Sequence, residues 1–454
     1  MTKLPLPALA LSLLCALPRL GLAATPTPEA TPMAAIAGAA PTAAADASDL
    51  VQRGGYLAQA GDCIACHTAP KGKPFAGGLP MSTPLGTIYS TNITPDSGTG
   101  IGAYSEADFR RALREGVAKD GHNLYPAMPY PSFAKLGDDD VHALYAYFMH
   151  GVTPVQQANR ASAIPFPLNQ RWPLMLWNLA FLHAGAYVPK PDHDAMWNRG
   201  AYLVQGLGHC GACHTPRGLT FQEQALDESG TLFLSGAVLD DWSAPNLSGN
   251  TRSGLGRWSE AQLVGFLKTG ANEHATAFGS MTSVINHSTQ ALTDADAQAM
   301  AHYLKSLPAA LQGSAYTYAD RGAAALLARP AGQPGARVYA EYCMHCHAVD
   351  GRGHAPLLAP LAGNPNVLDP NPASLLNVVL NGSDTLVIAG VPAAYPMPKF
   401  GAVLNDQQVA DVVTFIRASW NNNAPEVTPQ AVAKLRKSSQ TAANAAANAS
   451  GPTP

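Results

Sequence analysis

The chain lacks a basic face: only 13% of its 454 residues are charged, the formal net charge is −3, and no run of Lys or Arg occurs. That excludes nucleic-acid binding, which rests on clustered cations. Cysteine is also scarce. There are seven, of which six fall in three pairs and the seventh, Cys15, sits in the leading segment. Nothing is left over for the disulfide framework usual in an exported protein. Long apolar runs are missing too. The best membrane candidate, "QRWPLMLWNLAFLHAGAYVP" (170–189), is too short and broken to span a bilayer. Outside the cysteine pairs there is no acid/base pair and no nucleophile constellation, so no catalytic site is expected.

What is present is repetition. "RGGYLAQAGDCIACHTAP" (53–70) resembles "RGAYLVQGLGHCGACHTPRG" (199–218), and "GARVYAEYCMHCHAVDG" (335–351) is a looser third copy. Each starts as a helical pattern and ends in Cys-x-x-Cys-His. Each unit then closes on a second helical pattern: "LGDDDVHALYAYFMHG" (136–151), "LTDADAQAMAHYLKSL" (292–307) and "LNDQQVADVVTFIRASW" (404–420). Thr293, Asn405 and nearby acidic residues mark N-termini there, and apolar residues recur at helical spacing.

Cys-x-x-Cys-His is the attachment pattern of c-type haem. Two thiols three positions apart reach two vinyl groups on one edge of the macrocycle, and the adjacent His lies over the iron. Cys63, Cys66, Cys210, Cys213, Cys343 and Cys346 are therefore expected to attach three haems, with His67, His214 and His347 as proximal ligands. A thioredoxin-like pair needs no such His. A zinc site needs a fourth ligand, and no second Cys/His pair follows at finger or ribbon spacing.

A haem that only moves electrons wants a sixth ligand, and methionine is the usual choice in small cytochromes. Met128 in "LYPAMPYPSF" and Met397 in "AYPMPKFG" lie between prolines, which hold the loop extended. Met281 in "FGSMTSVINH" holds the corresponding place in unit two, without prolines, and His287 is its rival.

The expected organisation is mainly α, with three tandem cytochrome c-like domains. Residues 1–24 read as a signal peptide, with one Lys, an apolar stretch and small residues Gly21, Ala23 and Ala24 for cleavage. Residues 25–48 read as a flexible leader, 49–155 as domain one, 156–195 as a linker and possible membrane-interface segment, and 196–308 as domain two. A linker (309–334), domain three (335–422) and a disordered tail (423–454) complete the chain.

These motifs, with "GTIYSTNITPD" (86–96), "LYAYFMHGV" (144–152), "GLGRWSE" (254–260) and "DVVTFIRASW" (411–420), resemble the triheme cytochrome c subunit of membrane-associated bacterial dehydrogenases. That group includes the quinoprotein alcohol dehydrogenase of acetic acid bacteria, gluconate 2-dehydrogenase, and the flavin-dependent sorbitol or fructose enzymes. The resemblance covers about residues 50–425. It implies three Met/His haems, paired as His67/Met128, His214/Met281 and His347/Met397. It also implies that they pass electrons from a large dehydrogenase subunit to ubiquinone. That partner would depend on flavin, pyrroloquinoline quinone or molybdopterin, with a small subunit as a further possible member. The place would be the periplasmic face of the cytoplasmic membrane. The polar Ala/Asn/Ser ending departs from the longer aromatic tail of the alcohol dehydrogenase type, which favours a gluconate, sorbitol or aldehyde partner. The alternative is a free-standing periplasmic carrier serving a terminal oxidase.

Overall fold

The computed structural model describes residues 43–239, 241–310, 313–320 and 334–449. The expected signal peptide, and the expected leader as far as residue 42, lie outside the described residues.

One helix pair is built three times. Ala43–Ala60 crosses Asp138–Ala146, Ala195–Tyr202 crosses Asp294–Ser306, and Pro334–Tyr342 crosses Asp406–Ala418. Glycine sets how close the helices come. A Cβ on Gly54 would stand 1.9 Å from the Ala143 carbonyl oxygen, on Gly200 2.0 Å from that of Ala299, and on Gly335 2.1 Å from that of Asp411. Any side chain there would force the pair apart. Thr293 and Asn405 cap the second and third closing helices, each accepting a backbone N–H three residues on. The first closing helix starts on Asp138, Asp139 and Asp140, which suit the positive helix end. Two short antiparallel hairpins, Pro80–Thr83 with Gly86–Tyr89 and Ala237–Leu239 with Trp242–Ala244, are the only strands among the described residues. The fold is mainly α.

The three units do not pack equally. Units one and two share one continuous core, in which Leu57, Phe148, Trp197, Leu203, Leu207 and Tyr303 lie together. Unit three has its own, built from Val338, Tyr339, Leu376, Val413 and Trp420. It joins unit two through smaller contacts. Ser374 Oγ accepts from Ser243 N–H at 2.8 Å and donates to the Ser243 carbonyl, while Ser243 Oγ donates to Asp369. A small apolar cluster joins Ala277 and Ile285 to Leu386 and Ala394.

Two helices lie in stretches that the sequence suggested as flexible chain. The opening helix starts at Ala43, inside the stretch expected as a flexible leader. The tail expected to be disordered carries the helix Pro429–Ala449. Its Val432 and Leu435 are buried in the third core, and Arg436 donates to Asp406 at 2.8 Å. Only those few apolar positions precede the Ala/Asn repeats, so no periodic stripe announces the helix. Alanine's helix propensity and the docking of one turn suffice to form it.

In the linker, Pro173–Phe181 is a helix tied to unit one: Tyr130 OH donates to Asn178 at 2.7 Å, and Asn178 donates to the Glu115 carbonyl at 3.0 Å. Its outer face is apolar and open to solvent, with Leu179 85% and Trp172 64% exposed. No helix among the described residues is long and apolar enough to cross a membrane.

Candidate haem sites

Each Cys-x-x-Cys-His motif winds into a single helical turn: Cys63–Cys66, Gly211–His214 and Met344–His347. In all three the His N–H donates to the carbonyl of the first Cys at 3.0 Å. That i→i+4 bond places the imidazole over the turn and both sulfurs to one side.

The three imidazoles share a second feature. Nδ1 of His67 lies 2.7 Å from the Thr91 carbonyl, that of His214 2.8 Å from Pro245, and that of His347 2.8 Å from Ala359. A carbonyl can only accept, so Nδ1 carries the proton and Nε2 keeps a free lone pair. Burial lowers the pKa of all three rings, which holds them neutral. A neutral imidazole with its rear nitrogen tied to a carbonyl is the form that ligates a metal. Burial also pushes the Cys63, Cys210 and Cys343 thiols up to about 12.

Two of the sites open into apolar cavities. The second is lined by Cys210, Cys213, His214 and Met281, the third by Cys343, Cys346, His347 and Met397. In each, the expected Met shares the cavity with its His. His287 ends the same helix as Met281, but its Nδ1 pairs with Ser283 Oγ at 3.0 Å and it is not part of the cavity wall. Met300 does line that cavity. In unit one, Met128 packs against the core that Cys63 also joins.

These residues fit haem. No group of three or more His, Cys, Asp or Glu that could hold a metal ion is found among the described residues. The cavity of unit two also holds buried donors without partners, Trp258 Nε1 and Asn246 Nδ2. An apolar slot with unspent donors suits a flat apolar group with carboxylates on one edge.

The cavities adjoin one another. Thr276, Ala277, Phe278 and Asn366 belong to both the second and the third. On the other side, burial pushes the Cys66 thiol up to about 11, and Asp62 and then Cys213 add to it, so Cys213 of the second motif lies within electrostatic reach of the first. The sequence reading missed Asp62 and His209, which both line the second cavity. Each stands just before the first Cys of its motif, and that shared position was the available signal.

Known proteins carry the same pattern. Residues 198–308 match the model for cytochrome c, and residues 330–416 match that for cytochrome C oxidase, cbb3-type, subunit III. The chain is 55% identical to the gluconate 2-dehydrogenase cytochrome c subunit of Pantoea cypripedii, over 86% of this chain and 90% of that protein. It is 51% identical to the cytochrome c subunit of alcohol dehydrogenase (quinone) from Gluconacetobacter polyoxogenes, over 86% and 84%. To the fructose dehydrogenase cytochrome subunit of Gluconobacter japonicus it is 38% identical, over 87% and 84%.

Proposed function

The chain belongs to the cytochrome c subunits of dehydrogenases, and we propose that it relays electrons along three c-type haems, from a separate dehydrogenase subunit to ubiquinone. The observation that carries this reading is the threefold Nδ1–carbonyl bond, which leaves His67, His214 and His347 each with a free Nε2. Cys63/Cys66, Cys210/Cys213 and Cys343/Cys346 attach the groups, and Met128, Met281 and Met397 supply the sixth ligands. A bound c-type haem supplies one-electron transfer with little rearrangement. The protein's part is to hold three such groups in series and keep water from them. The wall shared by cavities two and three, and the closeness of Cys66 to Cys213, support the order one–two–three.

The exposed face of Pro173–Phe181 is the proposed contact with lipid, where ubiquinone dissolves. It lies beside the Met128 loop, because Asn178 holds Tyr130. Its Trp and Leu suit a membrane interface, and a nine-residue helix can lie in that plane without crossing it. The setting is the periplasmic face of the cytoplasmic membrane. A gluconate, polyol or aldehyde dehydrogenase is the favoured partner, which the 55% identity to a gluconate enzyme's subunit supports.

The test pairs the purified chain with its copurified large subunit. Alone, the chain stays oxidised in the presence of sugar acids, polyols and aldehydes. With the partner, substrate reduces all three haems and a short-chain quinone reoxidises them. Reduction of the isolated chain by substrate, or donation only to a soluble oxidase partner, overturns the relay. Trp172→Ser with Leu179→Ser weakens binding to phospholipid vesicles while leaving haem content at three.

A further inference from the structure

Met397 stands in a stretch without helix or strand, residues 382–405. Pro396 and Pro398 flank it, and neither has an N–H to give. Both backbone groups of Met397 go to one residue. Its N–H donates to Ser383 Oγ at 2.8 Å, and Ser383 N–H donates to its carbonyl at 3.0 Å. Gly382, at φ 77°, turns the chain off the helix Ala373–Asn381 and brings Ser383 to that point. A Cβ on Gly382 would stand 2.8 Å from the same Met397 carbonyl. Ser383 and Met397 both line the third cavity.

The far end of the loop is held from two sides. Phe400 and Gly401 donate their N–H groups to the Val379 and Leu380 carbonyls at 2.9 and 3.0 Å, on the last turn of the same helix. From the C-terminal helix Pro429–Ala449, Arg436 donates to the carbonyls of Gly401 and Leu404, the latter at 3.0 Å, and to Asp406 at 2.8 Å. Phe400 and Leu404 line the third cavity, so this guanidinium backs its wall. The other two methionines are held locally. Met128 donates to the Tyr125 carbonyl at 3.2 Å and accepts from Tyr130 at 2.8 Å, and Met281 lies in the first turn of Ser280–His287. Met397 instead depends on a residue 14 positions away, and its loop on one 30 to 35 positions away.

We propose that Ser383 and Arg436 are positioning residues for the sixth ligand of the third haem, Ser383 fixing Met397 and Arg436 bracing its loop from the C-terminal helix. This deepens the relay reading and rests on it. The segment read from sequence as a tail then has a task. It keeps the Met397 thioether turned into the cavity. Loosening either hold frees the loop, and the sixth position opens to outside ligands. A thioether raises the potential of a His-ligated haem, so its loss lowers the potential of that site.

The test uses the full haem-loaded chain and imidazole as the competing ligand. Ser383→Ala should tighten imidazole binding at one ferric haem by about two- to tenfold, the equilibrium worth of one hydrogen bond. It should be the haem whose sulfur–iron charge-transfer band Met397→Leu removes. Arg436→Gln should act on the same haem at least as strongly. Both should weaken that band and lower that midpoint potential, leaving the other two haems unchanged. Ser383→Thr, which keeps the hydroxyl, should restore the ordinary values. In a Met397→Leu background, Ser383→Ala should add nothing, because the ligand it positions is gone. Should Arg436→Gln fail to fold, the Ser383 series carries the test alone. Variants that lower the melting of unit three yet leave imidazole affinity, band and potential unchanged have a merely structural role and overturn the inference. So does an effect on another haem, or one that persists in Met397→Leu; each leaves the relay standing. Fewer than three haems in the unmodified protein would instead count against the relay itself.

Discussion

Tyr56 OH of unit one donates to Asp296 Oδ2 of unit two at 2.5 Å, and Tyr202 of unit two returns the bond to Asp140 of unit one. Each aspartate is also held from within its own unit, Asp140 by Arg53 at 2.6 Å and Asp296 by Arg199 at 2.7 Å. The relation extends to the backbone: Thr293 N–H donates to Tyr56 OH, and Gly137 N–H to Tyr202 OH. Units one and two are therefore related by a local two-fold. Unit three has Gln408 at the matching place in its closing helix and stands outside the pair.

Tyr56→Phe and Tyr202→Phe should each cost about 1.5–3 kcal/mol, the usual worth of a hydrogen bond to a charged group. Urea denaturation of the haem-loaded protein reads this. The loss should appear in the transition that melts units one and two together and leave the third-unit signal in place. A loss confined to one of the two units would contradict the shared core.

Met281→Leu should remove the sulfur–iron charge-transfer band of one haem, and His287→Ala should leave all three bands intact. The reason is positional: Met281 shares a cavity with His214, whereas His287 is turned toward Ser283. A lost band on His287→Ala would reverse the assignment. Met128→Leu and Met397→Leu should each remove one band as well.

Two buried carboxyls make stability fall with rising pH. Burial raises Asp62 to about 8 and Glu223 to about 6, the latter opposed by Arg217 and Lys135. The unfolded chain releases these protons in the ordinary carboxylate range, near 4. Between there and the raised values the folded state holds more protons than the unfolded one, so stability is full below about 4 and declines through the window. Glu223→Gln should flatten the lower part of the decline and Asp62→Asn the part reaching about 8. Denaturant midpoints across pH check both.

Leu435→Ala should cost about 2–5 kcal/mol, as for other buried leucines. Because units one and two have a separate core, thermal unfolding should move only the transition of unit three. A variant ending at residue 423 should show the same selectivity, with a larger shift.

The motifs were legible because they are local. A Cys-x-x-Cys-His turn closes on its own backbone, through the bond from the His N–H to the carbonyl of the first Cys. The mainly helical class followed from the same short patterns. What stayed hidden depends on partners far along the chain. Tyr56 finds Asp296 across 240 residues. Asp62 looks like the lead-in to its own motif until the fold turns it into its neighbour's cavity. The C-terminal helix is read as a tail because two buried side chains, Val432 and Leu435, carry the docking that periodicity would otherwise report.

A two-fold crossing of Arg, Tyr and Asp is an isologous contact, in which each face presents what the other requires. A single unit with this triplet is complementary to itself. Two such units on separate chains would pair only as concentration allowed. Joined by the 156–195 segment, they meet at an effective concentration set by the tether rather than by the cell. The pair of sites is thus kept at one spacing however dilute the protein becomes.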